Sequence, residues 1–472
     1  MEFIPFLLTS FLHIRLIYSF LCFAFPPLFR IENVFEELDA ENEFFFDESN
    51  SQLYLFYNGT GPPPSQVVVP SLATLIHVQG SQESPVHNVS ISNITFTDTR
   101  PTFMDPRANP SGGDWSLERE AALVIEGSED VVVQGNSFLR LDGNAVLISA
   151  YNRRVQIIHN HFSWLGQTAI ASWGRVHFND GTDGNQPRFS IIHGNFIHEI
   201  GHYQKQSSCY FQAESAQAII TNNICFNIPR AGININDGFG GGNEMANNLL
   251  FNTCRESSDH GAFNSWDRLP YVTDIRDGQT PSTIPADNNV HHNFIVANYA
   301  ADGGCLDNDD GSAYYYIHHN FCVYGGHKSD FDGHSKTSAF NLHVYPSVYG
   351  ITCLNIGPQR LPPKGYAESY HNNVCILPES GNRYLRIDDI DPAAGQCLGG
   401  SKSAYEAFTN GLVLGNNTIY VPEGKAIVTC HGEDVSFADF QQILRLDISS
   451  TIRAQMPNAS TIIAWAKELL TA

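Results

Sequence analysis

One short unit returns along most of this chain and restricts what it can build. An apolar or β-branched run is followed by His, Asn or Gly, then Asn, then another apolar residue. It reads "VSISNITF" at 89–96, "VVVQGNSF" at 131–138, "VQIIHNHF" at 155–162, "FSIIHGNF" at 189–196 and "AIITNNICF" at 218–226. It continues as "EMANNLLF" at 244–251, "NNVHHNF" at 288–294, "YYYIHHNF" at 314–321, "SYHNNVCI" at 369–376 and "LVLGNNTIY" at 412–420. Taking the last Asn as a marker gives positions 93, 136, 160, 195, 223, 248, 293, 320, 373 and 417, whose shortest spacings are 24, 25, 27 and 28. A period in the mid-twenties made of strand-like runs points to stacked coils of parallel strands. One coil alone cannot bury its apolar face, but stacked coils can, with strands about 4.8 Å apart along the axis. The recurrent Asn suits a tight corner, because its amide bonds to the amides of the coils above and below and it tolerates left-handed backbone. A β-sandwich also has many short strands, but it does not put one Asn at the same corner each time. A leucine-rich lattice is absent. The reading is an all-β chain: a right-handed parallel β-helix solenoid with a short C-terminal helical cap.

The chain divides by sequence into an apolar leader (1–30), the β-helix (31–433) and the cap (434–472). Within the β-helix segment, 31–60 reads as aromatic strands without the Asn corner, suited to a solenoid end. Residues 436–470 turn to helical periodicity, with Ser436 and Asn458 as N-cap candidates. The leader, "MEFIPFLLTSFLHIRLIYSFLCFAFPPLFR", reads as a secretory signal with Cys22 and Ala24 at −3 and −1 of a cleavage point. An uncleaved anchor and a spurious start remain alternatives, since Glu2 and Arg15 interrupt the pattern. Sequons at Asn58, Asn88, Asn93, Asn416 and Asn458 fit a secreted, extracellular glycoprotein. Association with a membrane is expected only if the leader stays attached.

Charge narrows the partners. With 49 acidic against 26 basic residues the net charge is −23, so the surface repels nucleic acid and anionic lipid. Ten cysteines contain no CxxC pair, which gives no sign of a zinc ribbon or a thioredoxin-type site. Cys322 and Cys375 each follow a marker Asn by two residues, so a disulfide is expected between them if their coils are adjacent; the alternative is that residues 338–345 hold an extra coil between them.

Among the stretched marker spacings are 93→136, 160→195, 248→293 and 320→373. The extra residues are rich in Gly, Asp, His, Trp and Arg, as in "PSGGDWSLERE" (110–120), "WGRVHFNDGTDGNQPR" (173–188), "CRESSDHGAFNSWDR" (254–268) and "GGHKSDFDGHSK" (325–336). Loops leaving neighbouring coils on one side can line one groove. Asp237 and Asp309 each lie eleven residues before a marker, which predicts one shared column two coils apart. The interrupted coil between them carries Asp259 and Asp267. Paired carboxylates of this kind suit glycoside hydrolysis, in which one protonates the departing oxygen and the other attacks or activates water. Trp266 and Trp173 supply aromatic faces for sugar rings, and Arg255 and Arg268 supply forks for carboxylate, sulfate or hydroxyl groups. The bland readings stand beside these: ordinary ion pairs in the loop, and Asp309 and Asp310 closing a turn before Gly311. His159, His292 and His319 precede marker Asn residues and read as stacked corner residues rather than metal ligands. "DNDDG" at 307–311 fails as a helix–loop–helix calcium loop, because the first and twelfth ligand positions fall on Leu306 and Ile317. No cofactor is expected, with a Ca²⁺ site of another type as the alternative.

With these residues in view, the chain resembles the right-handed parallel β-helix carbohydrate-active enzymes of the pectate-lyase-like superfamily, and most of all family 141 of the glycoside hydrolases and its uncharacterised eukaryotic relatives. The matching stretches are "VFEELDAENEFFFDESNSQLYLF" (34–56), "SGGDW" (111–115), "AGININDGFGGGN" (231–243), "ESSDHGAFNSWDR" (256–268) and "DNDDGS" (307–312). The resemblance implies hydrolysis of a complex plant or algal polysaccharide by acidic residues, placed on Asp267 and Asp309 with Asp310 as the alternative to Asp309. Two other functions stay open. A lyase or epimerase acting on uronate polymers would use Lys205, His260, Arg268 or Lys336 as base. A non-catalytic protein would hold glycans in the same groove. A monomer is expected.

Overall fold

Short apolar runs that end in Asn corners give each coil three strands, and stacking the coils generates three parallel sheets. The computed structural model describes residues 32–471 except 64–66, 107–114, 177–180, 182, 238, 267–270, 273–285, 301, 331–332, 347–350, 358–363, 388–410 and 431. The chain forms two compact units, Met1–Val68 and Val69–Ala472. In the first, Phe44–Asp47 and Gln52–Leu55 make an antiparallel hairpin. The Asp47 carboxylate closes its turn by accepting from the Ser49 and Asn50 N–H groups at 3.0 and 3.2 Å, while Phe35 sits edge-on to Phe45 and Tyr54.

The second unit is a parallel β-helix. Sheet 1 runs from Ile76–Gln79 to Ile427–Cys430, sheet 2 from Ser90–Ser92 to Val413–Gly415, and sheet 3 from Thr95–Thr99 to Thr451–Arg453. Register is kept from coil to coil, so one interior column stacks Phe96, Phe138 and Phe162 with centroids 4.5 and 4.7 Å apart. Phe138 and Phe162 are fully buried, each worth about 2–3 kcal/mol relative to exposure.

The corner between sheets 2 and 3 carries the predicted amide ladder. Asn136 donates to Asn160 Oδ1 at 3.0 Å, and the same bond links 160 to 195, 195 to 223, 223 to 248, 248 to 293 and 293 to 320. Two details differ from the sequence expectation. First, the left-handed residue is the one before the ladder Asn: His159, Asn222, Asn247, His292, His319 and Asn372 all have φ between 53 and 58°. Asn93 occupies this left-handed position, and its neighbour Ile94 donates its N–H to Asn136. Second, Asn341 is a further rung between Asn320 and Asn373. The stretched 320→373 spacing therefore contains a complete extra coil, with His327–Asp330 in sheet 1, His334–Ala339 in sheet 2 and Leu342–Val344 in sheet 3. Of the corner histidines, His292 stacks on His319 with an interplanar angle of 2°, whereas His159 meets His193 edge-on.

That extra coil also corrects the disulfide expectation. Cys322 and Cys375 are separated by His343 in the same column. Among the described residues Cys209 is bonded to Cys225 and Cys353 to Cys375.

At the C-terminal end, Ser436 caps the helix Phe437–Leu444 by accepting from the Asp439 N–H. Phe437 and Phe440 enter the terminal core beside Tyr384 and Val428. Asn458 likewise accepts from the Thr461 N–H at the start of Ala459–Thr471. This second helix lays Ile462 and Ala466 on Phe321, Leu342, Val344 and Ile376 on the outer face of sheet 3. Among the described residues no helix is long and apolar enough to cross a membrane.

Candidate active site on the outer face of sheet 1

The insertions flank one sheet. Residues 100–122 and 254–262 lead into sheet-1 strands, whereas 174–186 and 267–287 follow them in the chain. Alternation along these strands sends one set of side chains into the bore and the other outward. The outward column nearest the strand entrances reads Val124, Leu147, Ala171, Phe211, Asn234, Asn264, Asp307, Lys328 and Asn355. It changes from apolar to amide and ionisable residues after Phe211. The next outward column reads Trp173, Ala213, Asn236, Trp266 and Asp309.

Lys328 organises the polar half. Its side chain is fully buried, with Nζ 3.1 Å from Asp259 Oδ1, 3.5 Å from Asp307 Oδ1 and 3.7 Å from Asp309 Oδ2. Asp307 is fully buried too, and its Oδ2 accepts from the Gly261 N–H at 3.0 Å. The loop of the "RESSDHG" stretch is thus tied to the sheet through both acids. Burial pushes the Asp309 carboxyl above its usual range; Lys328 and the Asp310 N–H oppose this, and the Asp259 and Asp310 carboxylates add to it. Trp266 donates its indole N–H to Asp310 at 2.8 Å, so the ring orients a carboxylate and is itself buried.

Asp237 falls one place away from the expected column. Asn236 aligns with Trp266 and hence with Asp309, and Asp237 follows with its N–H on the Trp266 carbonyl. The corner after Asn236 is one residue longer than the corner after Asp309, so equal distances to the marker do not give equal register. The residues that leave these strands are Glu214, Asp237 and Asp310, and Asp267 is next in sequence after Trp266. Four successive coils therefore end their sheet-1 strands with an acid in the sequence. Glu214 went unnoticed in the sequence because an acid following "YFQA" carries no motif; aligning the strand exits would have found it. Burial, and after it the Asp237 carboxylate, push Glu214 up to about 7, against the Arg119 guanidinium and a hydrogen bond from Trp173.

The other expected residues divide. Asp259 and Asp310 join Asp309 in the cluster. His260 is buried in the same loop and bonded to Ser257 Oγ, while Arg255 is exposed on it. Lys205 is paired with Glu256 at 2.9 Å in an exposed contact. Lys336 lies in sheet 2, where it is buried against Glu368 at 3.0 Å. Trp173 is no open platform: it is buried beside Trp115 and Phe211, with the Arg119 guanidinium 3.8 Å over its ring. Asp267 and Arg268 lie outside the described residues. So does the start of "SGGDW", of which Trp115 is described.

Metal-ligating atoms converge within 4.8 Å at His87, Glu129 and Asp130, but Arg154 already bonds both carboxylates there at 2.8–2.9 Å. In the 307–310 cluster the Lys328 ammonium stands between the Asp307 and Asp309 carboxylates.

Comparison with known proteins agrees with this architecture. A solved structure named a glycoside hydrolase superposes with a TM-score of 0.54 at 16% identity, covering 66% of this chain and 57% of that one. A complex of XylC with xylose gives 0.41 at 10% identity over 72% of this chain and 55% of the other. The chain thus spans little more than half the length of either. No family model matches, and no curated protein matches. The likeness to the first structure shows a shared fold.

Proposed function

We propose that this chain is a secreted glycoside hydrolase, akin to family 141, that cleaves a complex plant or algal polysaccharide on the outer face of sheet 1. The observation that carries this reading is the set of acids Glu214, Asp237 and Asp310 that leave sheet-1 strands, together with Asp309, whose carboxyl is raised by burial; Asp267 follows Trp266 in the sequence. Hydrolysis of a glycosidic bond needs one carboxyl that keeps its proton and another that is ionised. Neighbouring coils stand about 4.8 Å apart and alternate coils about 9.6 Å, separations that serve retaining and inverting chemistry respectively. Asp309 is assigned as the acid and Asp267 as its partner, with Asp310 as the alternative to Asp309. The shared fold with a structure named a glycoside hydrolase supports the same reading.

Lys328 gives the lyase reading one point in its favour, since a basic group does face Asp309. Its ammonium neutralises carboxylates, however, which is the opposite of what a proton-abstracting lysine requires. The test is a panel of plant and algal polysaccharides treated with wild type, Asp309→Asn and Asp267→Asn. New reducing ends without ultraviolet-absorbing products, lost in both variants, are expected. Unsaturated products rising in step with the cuts would replace hydrolysis by β-elimination, and no cleavage across the panel would overturn the enzyme reading.

A further inference from the structure

Where the strands of sheet 1 begin, one register position faces sheet 3 across the bore in six successive coils. From coil to coil this position is Cys209, Gly232, Ala262, Cys305, Gly326 and Cys353, each one residue before the paired positions Tyr210, Ile233, Phe263, Leu306, His327 and Leu354. The central interior column of sheet 3 runs in the same order through Cys225, Leu250, Ile295, Cys322, His343 and Cys375. Within a coil the two positions complement each other: Gly or Ala stands opposite Leu, Ile or His. A Cβ built on Gly232 would come within 3.1 Å of the Leu250 side chain, so the two columns touch.

Three coils place cysteine at both positions. In two of them the cysteines are bonded, Cys209–Cys225 with Cα atoms 6.3 Å apart and Cys353–Cys375 with Cα atoms 6.1 Å apart. We infer that Cys305 and Cys322, which hold the same two register positions in the coil carrying Asp309, close into a third disulfide of the same kind. Both are buried thiols, and the Cys305 side chain is a hydrogen-bond partner of Cys322. The other buried thiol among the described residues, Cys254, is directed elsewhere, with its Sγ donating to the Gly261 carbonyl at 3.4 Å. Burial holds the Cys322 thiol well above the usual range, so exchange has to occur while the coil is still open, during folding.

Glutathione disulfide is a sufficient oxidant. One cysteine thiolate attacks it and expels a glutathione thiol; the second thiolate attacks the mixed disulfide and expels the other. The two cysteines together lose two protons and two electrons, and both electrons leave on the two glutathione molecules. The resulting bond spans the bore one residue before the strand Leu306–Asp309, fixing the end of the strand that presents Asp307 and Asp309. This inference is independent of the hydrolase assignment.

The experiment is a non-reducing peptide map of the full chain. The protein is refolded with glutathione disulfide until the 209–225 and 353–375 peptides are wholly linked, and residual thiols are then alkylated in denaturant. The expected result is a linked 305–322 peptide pair, with Cys254 alkylated. Alkylation of both Cys305 and Cys322 while the two reference pairs are linked would overturn the inference. So would a Cys254–Cys305 link. As a second readout, Cys305→Ser and Cys322→Ser should each lower the melting temperature as far as the double variant does. Additive shifts would show two independently packed thiols instead.

Discussion

Replacing Lys328 with methionine tests whether the polar half of the sheet-1 face is held by its ammonium. Three carboxylates contact Nζ, but they do not contribute equally. Asp259 is half exposed, and a solvated pair of this sort is worth about 0–1 kcal/mol. Asp309 is farther away, at 3.7 Å. Asp307 and Lys328 are both fully buried, and breaking a buried pair by removing one member costs about 3–5 kcal/mol, because the other charge is stranded. Methionine fills most of the space of the lysine stem, so packing adds less than about 1 kcal/mol. The expected loss is about 4 kcal/mol by urea denaturation at neutral pH. Adding Asp307→Asn to that variant should recover most of it, since an amide oxygen still accepts from the Gly261 N–H while the stranded charge disappears. A loss under about 1 kcal/mol, or no recovery in the double variant, would refute the claim that the buried pair dominates.

Two further outcomes can be measured in the same way. Glu214 has a folded-state value near 7 against 4.5 for a free glutamate, so its protonated form favours folding. That stability is complete below about pH 4.5 and is lost as pH rises through 7. Glu214→Gln should therefore flatten the stability profile between pH 5 and 7.5 by about 2–3 kcal/mol, and an unchanged slope would show the carboxyl to be solvated. In the amide ladder, Asn248 donates to the Ile220 carbonyl and Asn293 Oδ1 and accepts two bonds from Asn223. Asn248→Ala strands these buried partners and should cost about 4 kcal/mol, whereas a cost near that of a surface substitution would remove the ladder as a source of stability.

The helix caps were legible because Ser436 and Asn458 act within three or four residues of themselves. The repeating unit was legible because its Asn repeats whether or not the spacings do, and a solenoid needs only local corners and neighbouring coils. That was enough for the fold and for the cluster of acids near 259 and 309. The coil at Asn341 was legible only as an alternative at 338–345 and not as a marker, because its left-handed corner is Phe340 rather than Gly, His or Asn. Without that coil Lys328 reads as part of an insertion. With it, Lys328 lies thirteen residues before Asn341, just as Asp307 lies thirteen before Asn320, and the two become neighbours. Asp237 slipped by one for a related reason: a marker-to-marker distance sums two corners and three strands, and the sequence does not divide that sum among them. The sequence by itself determined a stack of parallel coils and the chemistry available at its loops. Only the tertiary structure decided which acids share a column, which cation they surround and which cysteines face each other, because each of these depends on register added up separately at every corner.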